Sequence, residues 1–402
     1  SYDIQADPES KALNVLEMMR KVPMLSLDAD DNIKLKGSSN YKIFINGKPS
    51  SLVARNPKDV LRAMPASSIQ KIEVITTPPS KYDSEGLDGI INIITNKKID
   101  NGYNGSVSFN QRFPVGGPGV GGSFTIKEGK FGTSAYFGGN NYNRPSTVST
   151  SSRLTTGINP SLLQQAGSGS SKNKGAYMGT ELSYEIDSLN LITAEVDLNG
   201  GRGTSNGVNS SFTQFPAKTI AYTLLRDSKS NYSGHDISIN YQLGFKSNKN
   251  RLLTFSYRDS RWKDGSFDDR GLTDTLNYNS SSFRQNNNSV SREQTFQADY
   301  VHPLKKINIE GGLKAILRDN ASDYEYDSLS TATNQYVINP ARSNNYNNNQ
   351  YVLGAYNAYQ YNLKTWGFKA GGRIEETIVK ADFVTNATNV NRNYFNIVPA
   401  IS

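Results

Sequence analysis

A few groupings of side chains in this 402-residue chain have the types and spacing for chemistry. Asp28, Asp30, Asp31 and Asn32 open like a calcium-binding loop. The sixth position should then be Gly and the twelfth Glu, but they are Ile33 and Ser39. The run reads as a polar turn. Gly116-Gly117-Pro118-Gly119-Val120-Gly121-Gly122 is rich enough in glycine to cradle a phosphate, but no helix pattern follows it. It reads as a loop joining two strands. Glu375 and Glu376 are adjacent carboxylates, and neighbours on a strand point to opposite faces, so they do not form an acid/base couple. His235 and His302 are the two histidines; they lie far apart in sequence and do not make a multi-histidine metal site. The chain has no cysteine, which excludes a disulfide scaffold, a thiolate zinc site, an iron–sulfur cluster and a thiol nucleophile. The sequence therefore leads to no expected catalytic residue, metal site or cofactor.

The elements that would carry any binding site change character near residue 100. Before it, helix and strand signals are mixed. Asp7-Pro8 is a helix start, with Leu13, Leu16 and Met19 at helical spacing up to Val22-Pro23. Asn56-Pro57 is a second start, stopped by Pro65. Strand-like runs occupy Leu25–Leu27, Ile33–Leu35, Tyr41–Ile45, Ile69–Ile75 and Gly89–Thr95. Residues 1–98 are expected to be a small α+β domain.

From about Asn104 onward helical periodicity gives way to alternation. Ile237, Ile239, Tyr241, Leu243 and Phe245 fall on one face of a strand; Asp236, Ser238, Asn240 and Gln242 fall on the other. The runs 192–198, 253–258 and 295–300 alternate in the same way. One face suits lipid and the other water. Short turns at 185–190, 246–250, 302–306 and 362–366 alternate with long polar stretches near 143–175, 200–233, 260–290 and 320–349. The stretches are read as loops, and the whole pattern as an antiparallel transmembrane β-barrel over 99–402. No apolar run approaches the length of a membrane-spanning helix. Tyr177, Trp262, Tyr300, Tyr351 and Trp366 are expected near strand ends as interfacial anchors. Tyr324, Tyr326 and Tyr346 are expected in long loops, where their rings could meet a ligand.

About 12 strands are countable, whereas a barrel that encloses a plug is associated with roughly 22, so the sequence reads as a fragment. No charged-then-apolar leader opens it, and a signal peptide is read as absent from this fragment.

Within residues 35–95 the order Leu35-Lys36-Gly37, Ile43-Phe44-Ile45-Asn46-Gly47, Met64-Pro65-Ala66, Ile72-Glu73-Val74-Ile75, Lys81-Tyr82-Asp83-Ser84-Glu85-Gly86 and Gly89-Ile90-Ile91-Asn92-Ile93-Ile94-Thr95 resembles the plug domain of TonB-dependent outer-membrane receptors. Residues 1–98 would then be the plug domain and 99–402 the N-terminal part of the barrel. The resemblance rests structural or gating roles on Gly37, Asn46, Gly47, Pro65, Ile72, Glu73, Tyr82, Gly86, Gly89 and Asn92. It implies active uptake of a large or scarce solute through a plugged barrel in the outer membrane of a Gram-negative bacterium. The implied partners are the TonB–ExbB–ExbD energy-transducing complex, outer-membrane lipid, an unknown solute and a surface lipoprotein, with no nucleic acid. The alternative is a plugged barrel with a structural, adhesive or signalling role that binds a partner protein. The formal net charge of +8 is left without an account beyond loop solvation.

Overall fold

The computed structural model describes residues 1–28, 31–46, 48–49, 57–76, 89–95, 102–304, 306–362, 367–383 and 388–401. Two bodies of structure follow one another. The first comprises β1 (Tyr2–Asp3), a 3-10 turn Pro8–Lys11, α1 (Val15–Met18), a second 3-10 turn Met19–Lys21, β2 (Leu25–Leu27), β3 (Ile33–Leu35), β4 (Tyr41–Ile45), β5 (Lys48–Pro49), α2 (Pro57–Ala63), β6 (Ile69–Ile75) and β7 (Gly89–Thr95). Its main sheet runs β1-β6-β7-β4-β5, with only β4 and β7 parallel; β2 and β3 form a separate hairpin.

The single helix expected over Asp7–Val22 is divided. Asp7 does cap the first turn, accepting from Glu9 N at 2.9 Å. Asn14 then leaves the helical region and starts α1 with a reciprocal box: Glu17 N donates to Asn14 Oδ1 at 3.0 Å, and Asn14 N to Glu17 Oε2 at 3.1 Å. A residue whose side chain can cap its own downstream turn competes with a continuous helix, and here it wins. The core beneath these turns joins Val15, Met18 and Met19 to Leu35, Ile43, Leu61, Ile72, Ile91 and Ile93.

The second body is a sheet of thirteen strands: β8 (Gly102–Gln111), β9 (Pro118–Glu128), β10 (Phe131–Thr155), β11 (Ser161–Glu185), β12 (Asn190–Gln214), β13 (Thr219–Phe245), β14 (Asn248–Leu276), β15 (Phe283–Leu304), β16 (Ile307–Ser330), β17 (Gln335–Ile338), β18 (Asn344–Asn362), β19 (Gly367–Phe383) and β20 (Thr388–Ile401). All neighbours are antiparallel and sequential, and short β17 lies beside β16. The turns on one end are short, as at 128–131 and 245–248. In the turn 185–190, Asp187 accepts the backbone N–H groups of Leu189 at 2.8 Å and Asn190 at 2.9 Å, and these bonds, the Leu189 one foremost, lower its carboxyl below the ordinary range.

The polar stretches read as long loops are strands. The β11–β12 ladder runs without a register shift from Glu185↔Leu191 to Leu162↔Gln214. Two chains of Ser, Thr, Asn and Gly lack apolar alternation yet satisfy each other's backbone donors and acceptors by pairing. β10, β11 and β12 are each 25 residues long, whereas about 9–11 tilted residues cross a bilayer. The outer face records the difference. On β13, Leu243, Tyr241, Ile239 and Ile237 give way to His235, Ser233, Asn231 and Lys229; on β12, Ile192, Ala194, Val196 and Leu198 give way to Gly200, Arg202 and Thr204. An apolar belt thus lies next to the short turns, and polar strand extends well past it.

Candidate functional site

The inner face of the large sheet is the one that meets the N-terminal body. Tyr136 on β10 and Tyr177 on β11 pack against its core, and α2 touches β9 and β10. On the short-turn side of this contact a cavity of about 490 Å³ separates Lys42, Phe44 and Asn46 of the N-terminal sheet from the wall. Its wall carries Glu181, Glu195, Arg258, Glu293, Arg318 and Asp299, which are polar-face positions of strands whose other face is apolar.

The wall charges are paired, most of them across strands. Arg258 on β14 reaches Asp236 at 2.6 Å and Glu293 at 3.6 Å; Arg318 on β16 reaches Glu293 at 2.6 Å and donates to Gln350 at 3.2 Å. Lys369 meets Glu310 at 3.2 Å. Arg373 is 2% exposed and bonds Glu375 at 2.8 Å. Tyr136 donates to Asp197 at 2.9 Å, and Tyr356 donates to Asp299. Charges this enclosed require such partners. The wall offers a solute hydrogen bonds and charges of both signs, held in place by the ladder. The described residues contain no His/Cys/Asp/Glu group able to hold a metal ion.

Rings lie flat on this wall where a neighbouring strand supplies glycine. A Cβ on Gly234 would sit 2.0 Å from Trp262 Cε3, one on Gly179 2.3 Å from Tyr136 Cζ, and one on Gly138 2.4 Å from Tyr177 Oη. Trp262 is also stacked on Tyr232, centroids 5.7 Å apart. Tyr177 and Trp262 therefore correct an expectation: they face inward, because they share the parity of wall residues, and they do not anchor the outer surface. Tyr300 and Tyr351 occupy the outward parity; Trp366 lies outside the described residues.

The loop placement expected for three tyrosines is also corrected. Tyr324 and Tyr326 belong to β16 and Tyr346 to β18, all on the inward parity. Tyr326 stacks on Phe283 at 5.1 Å and accepts from Arg342 Nη1 at 2.8 Å; Tyr346 leans on Phe383 at 4.9 Å. They line the upper wall rather than long loops.

Among the N-terminal candidates, Asn46 turns the chain at φ 52° and staples the end of β7. Its Nδ2 donates to Thr95 Oγ1 at 2.9 Å, and its Oδ1 accepts from Thr95 N at 3.1 Å. Asn92 Nδ2 donates to Glu73 Oε2 at 3.0 Å, and Lys71 pairs with Glu73 at 2.7 Å. Ile72 is in the core, and Pro65 bridges Asn14. Gly37 adopts φ +84°. Gly89 is seated where a Cβ would meet the Ile75 carbonyl oxygen at 2.7 Å. Gly47, Tyr82 and Gly86 lie outside the described residues. The structure thus joins Asn46 to the cavity but keeps Glu73 and Asn92 within the N-terminal sheet. Asp31 of the polar turn is bonded to Arg20 at 2.9 Å and Arg62 at 2.7 Å, so that carboxylate is engaged.

The wall ion pairs escaped sequence reading. Arg373 and Glu375 were legible as same-face neighbours, i and i+2; Arg318–Glu293 needs the β15–β16 register.

Residues 243–402 match the sequence model described as the outer membrane protein beta-barrel family. No curated protein matches the sequence. Among solved structures, the ferric yersiniabactin uptake receptor FyuA from Yersinia pestis is similar at 10% identity over 97% of this chain and 78% of that one, TM-score 0.40. The unliganded ferric citrate transporter FecA gives 11%, 98%, 77% and 0.35 in the same terms. The ferric preacinetobactin receptor BauA from Acinetobacter baumannii gives 11%, 99%, 78% and 0.33. The matched stretch, from the end of β13 to β20, is thus similar to the outer membrane protein beta-barrel family, and it carries the same apolar outer belt and charged inner wall as the strands before it.

Proposed function

We propose that the chain is a TonB-dependent outer-membrane receptor that imports a large or scarce solute, with residues 1–98 as its plug and 99–402 as barrel wall. The observation that carries this reading is the cavity between the N-terminal sheet and a wall of paired charges, inside a sheet whose outer belt is apolar. A polar solute would exchange hydration for the wall's hydrogen bonds, and displacement of the N-terminal body would open the way through. The outer membrane has no nucleotide supply, so the work would come from an inner-membrane TonB–ExbB–ExbD machine, with a surface lipoprotein as a further candidate partner. Metal chelates, cobalamin-like cofactors, oligosaccharides and peptides fit such a route in size and polarity.

The long polar strand extensions favour a second reading, in which the barrel binds a partner protein for adhesion or signalling. Uptake of a panel of those four solute classes by cells that display the full-length protein separates the two. Import predicts accumulation that an uncoupler stops while surface binding persists. Binding with no accumulation of any class would sink the import reading and leave the second.

A further inference from the structure

On the outer face, just past the apolar belt, cations are set against cations. Lys174 on β11 is directly opposite Arg202 on β12, and Thr204 on β12 is flanked by Lys172 on one side and Lys229 on β13 on the other. All four basic side chains are exposed. Among the described residues Lys172, Lys174 and Arg202 have no acidic partner, and the residues beside them on the same face are Asn141, Asn143, Asn231 and Gly200. The nearest acid on that face is Asp227, two positions beyond Lys229. Like charges directly opposite on neighbouring strands destabilise a sheet unless something neutralises them.

Their height is regular. Met178 and Leu198 are the last large apolar residues of the belt on β11 and β12, with Val208 and Phe212 returning only further along β12, and Lys174 and Arg202 follow each by four positions. On β14 and β15, Tyr257 is followed four positions on by Arg261, and Phe296 by Arg292. Four residues advance about 13 Å along a strand. A tilt near 45° reduces that to roughly 9 Å along the membrane normal, which is the headgroup layer next to the hydrocarbon.

We propose that this tract is a binding site for the phosphate groups of an outer-leaflet lipid whose acyl chains lie on the belt below. The inference rests on the reading that the sheet spans the outer membrane. It gives part of the excess positive charge a specific counter-ion.

The test uses the full-length protein in detergent and native mass spectrometry with two probes: a diphosphorylated glucosamine glycolipid and its dephosphorylated form. A basic side chain at an anionic lipid surface contributes about fivefold to binding. Lys174→Gln with Arg202→Gln should therefore weaken the phosphorylated probe by about 25-fold and leave the dephosphorylated one unchanged. Thr204→Lys, which adds a cation at the centre, should tighten it by about fivefold. Lys218→Gln, in the turn 214–219, is the control and should change nothing. Heat-modifiable gel mobility reports folding of each variant. Equal binding of both probes, an unchanged double variant, or displacement of the glycolipid by an equal concentration of inorganic pyrophosphate overturns the lipid-phosphate site. A protein that stays monomeric in water without detergent instead overturns the membrane reading beneath it.

Discussion

Gly234→Ala places a methyl group where Trp262 already lies. Its Cβ would be 2.0 Å from Cε3 and 2.4 Å from Cζ3 of a ring that is 7% exposed, so the indole must leave its seat. Overpacking of this kind costs about 1–3 kcal/mol. Loss of the stack on Tyr232 adds about 0.5–1.5 kcal/mol. Relief of glycine's backbone entropy in a strand returns roughly 0.5–1 kcal/mol. The balance is a destabilisation of about 2 kcal/mol. Trp262 is one of only two tryptophans, so a Trp366→Phe background isolates its emission. Urea unfolding in detergent, followed by that emission, should show a shifted native spectrum and a lower midpoint. The cycle partner is Trp262→Leu. With the ring gone, the same alanine should become neutral or stabilising. A penalty of equal size in both backgrounds would refute the ring-seat argument, since the cost would then arise from the strand and not from the indole.

Glu375→Gln leaves the enclosed Arg373 guanidinium without its carboxylate and should destabilise the barrel by about 3 kcal/mol, while Arg373→Met together with Glu375→Met should recover most of that; urea midpoints of the two variants and the unsubstituted protein check it. Ile91→Ala empties a site in the N-terminal core between Ile43 and Val74 and should cost that body about 3 kcal/mol. Limited proteolysis should then cut residues 1–95 faster while heat-modifiable mobility of the barrel is retained. Asp7 accepts from the Tyr2 hydroxyl, the Glu9 backbone and Lys21, which lower its carboxyl to about 2. A lowered folded value stabilises above the ordinary carboxylate range near 4 and loses that contribution as pH falls toward 2. Protease resistance of residues 1–28 should therefore decline between about pH 4 and 2, and Asp7→Asn should flatten that decline.

Much of the scaffold is written in local pattern. Ile237 to Phe245 alternates strictly because one face must be apolar and the other must not. The short strands Leu25–Leu27, Ile33–Leu35 and Tyr41–Ile45 end at the residues their composition marks. What pattern could not show was length. Asn344 to Asn349 carries no apolar alternation, and its ladders to β16 and β19 make it a strand. The same gap misplaced Tyr324, Tyr326 and Tyr346. Parity alone turns Tyr177 and Trp262 inward; nearness to a turn does not decide the face, and the strands run on past that distance. Of the cavity, the sequence revealed the polar face but not which arginine meets which carboxylate, because register decides it.

The overshoot has a mechanical consequence. Over β10 to β16, neighbouring strands are hydrogen-bonded through nearly their full length, far past the apolar belt. To bend one upper hairpin outward would break two ladders at once, so the rim moves as a single elastic sheet or hardly moves. Independent swinging is confined to connections such as 155–161 and 214–219. A solute or partner arriving from outside would meet a stiff palisade with a few short hinged tips, and its fit would be decided before contact rather than by loops folding around it.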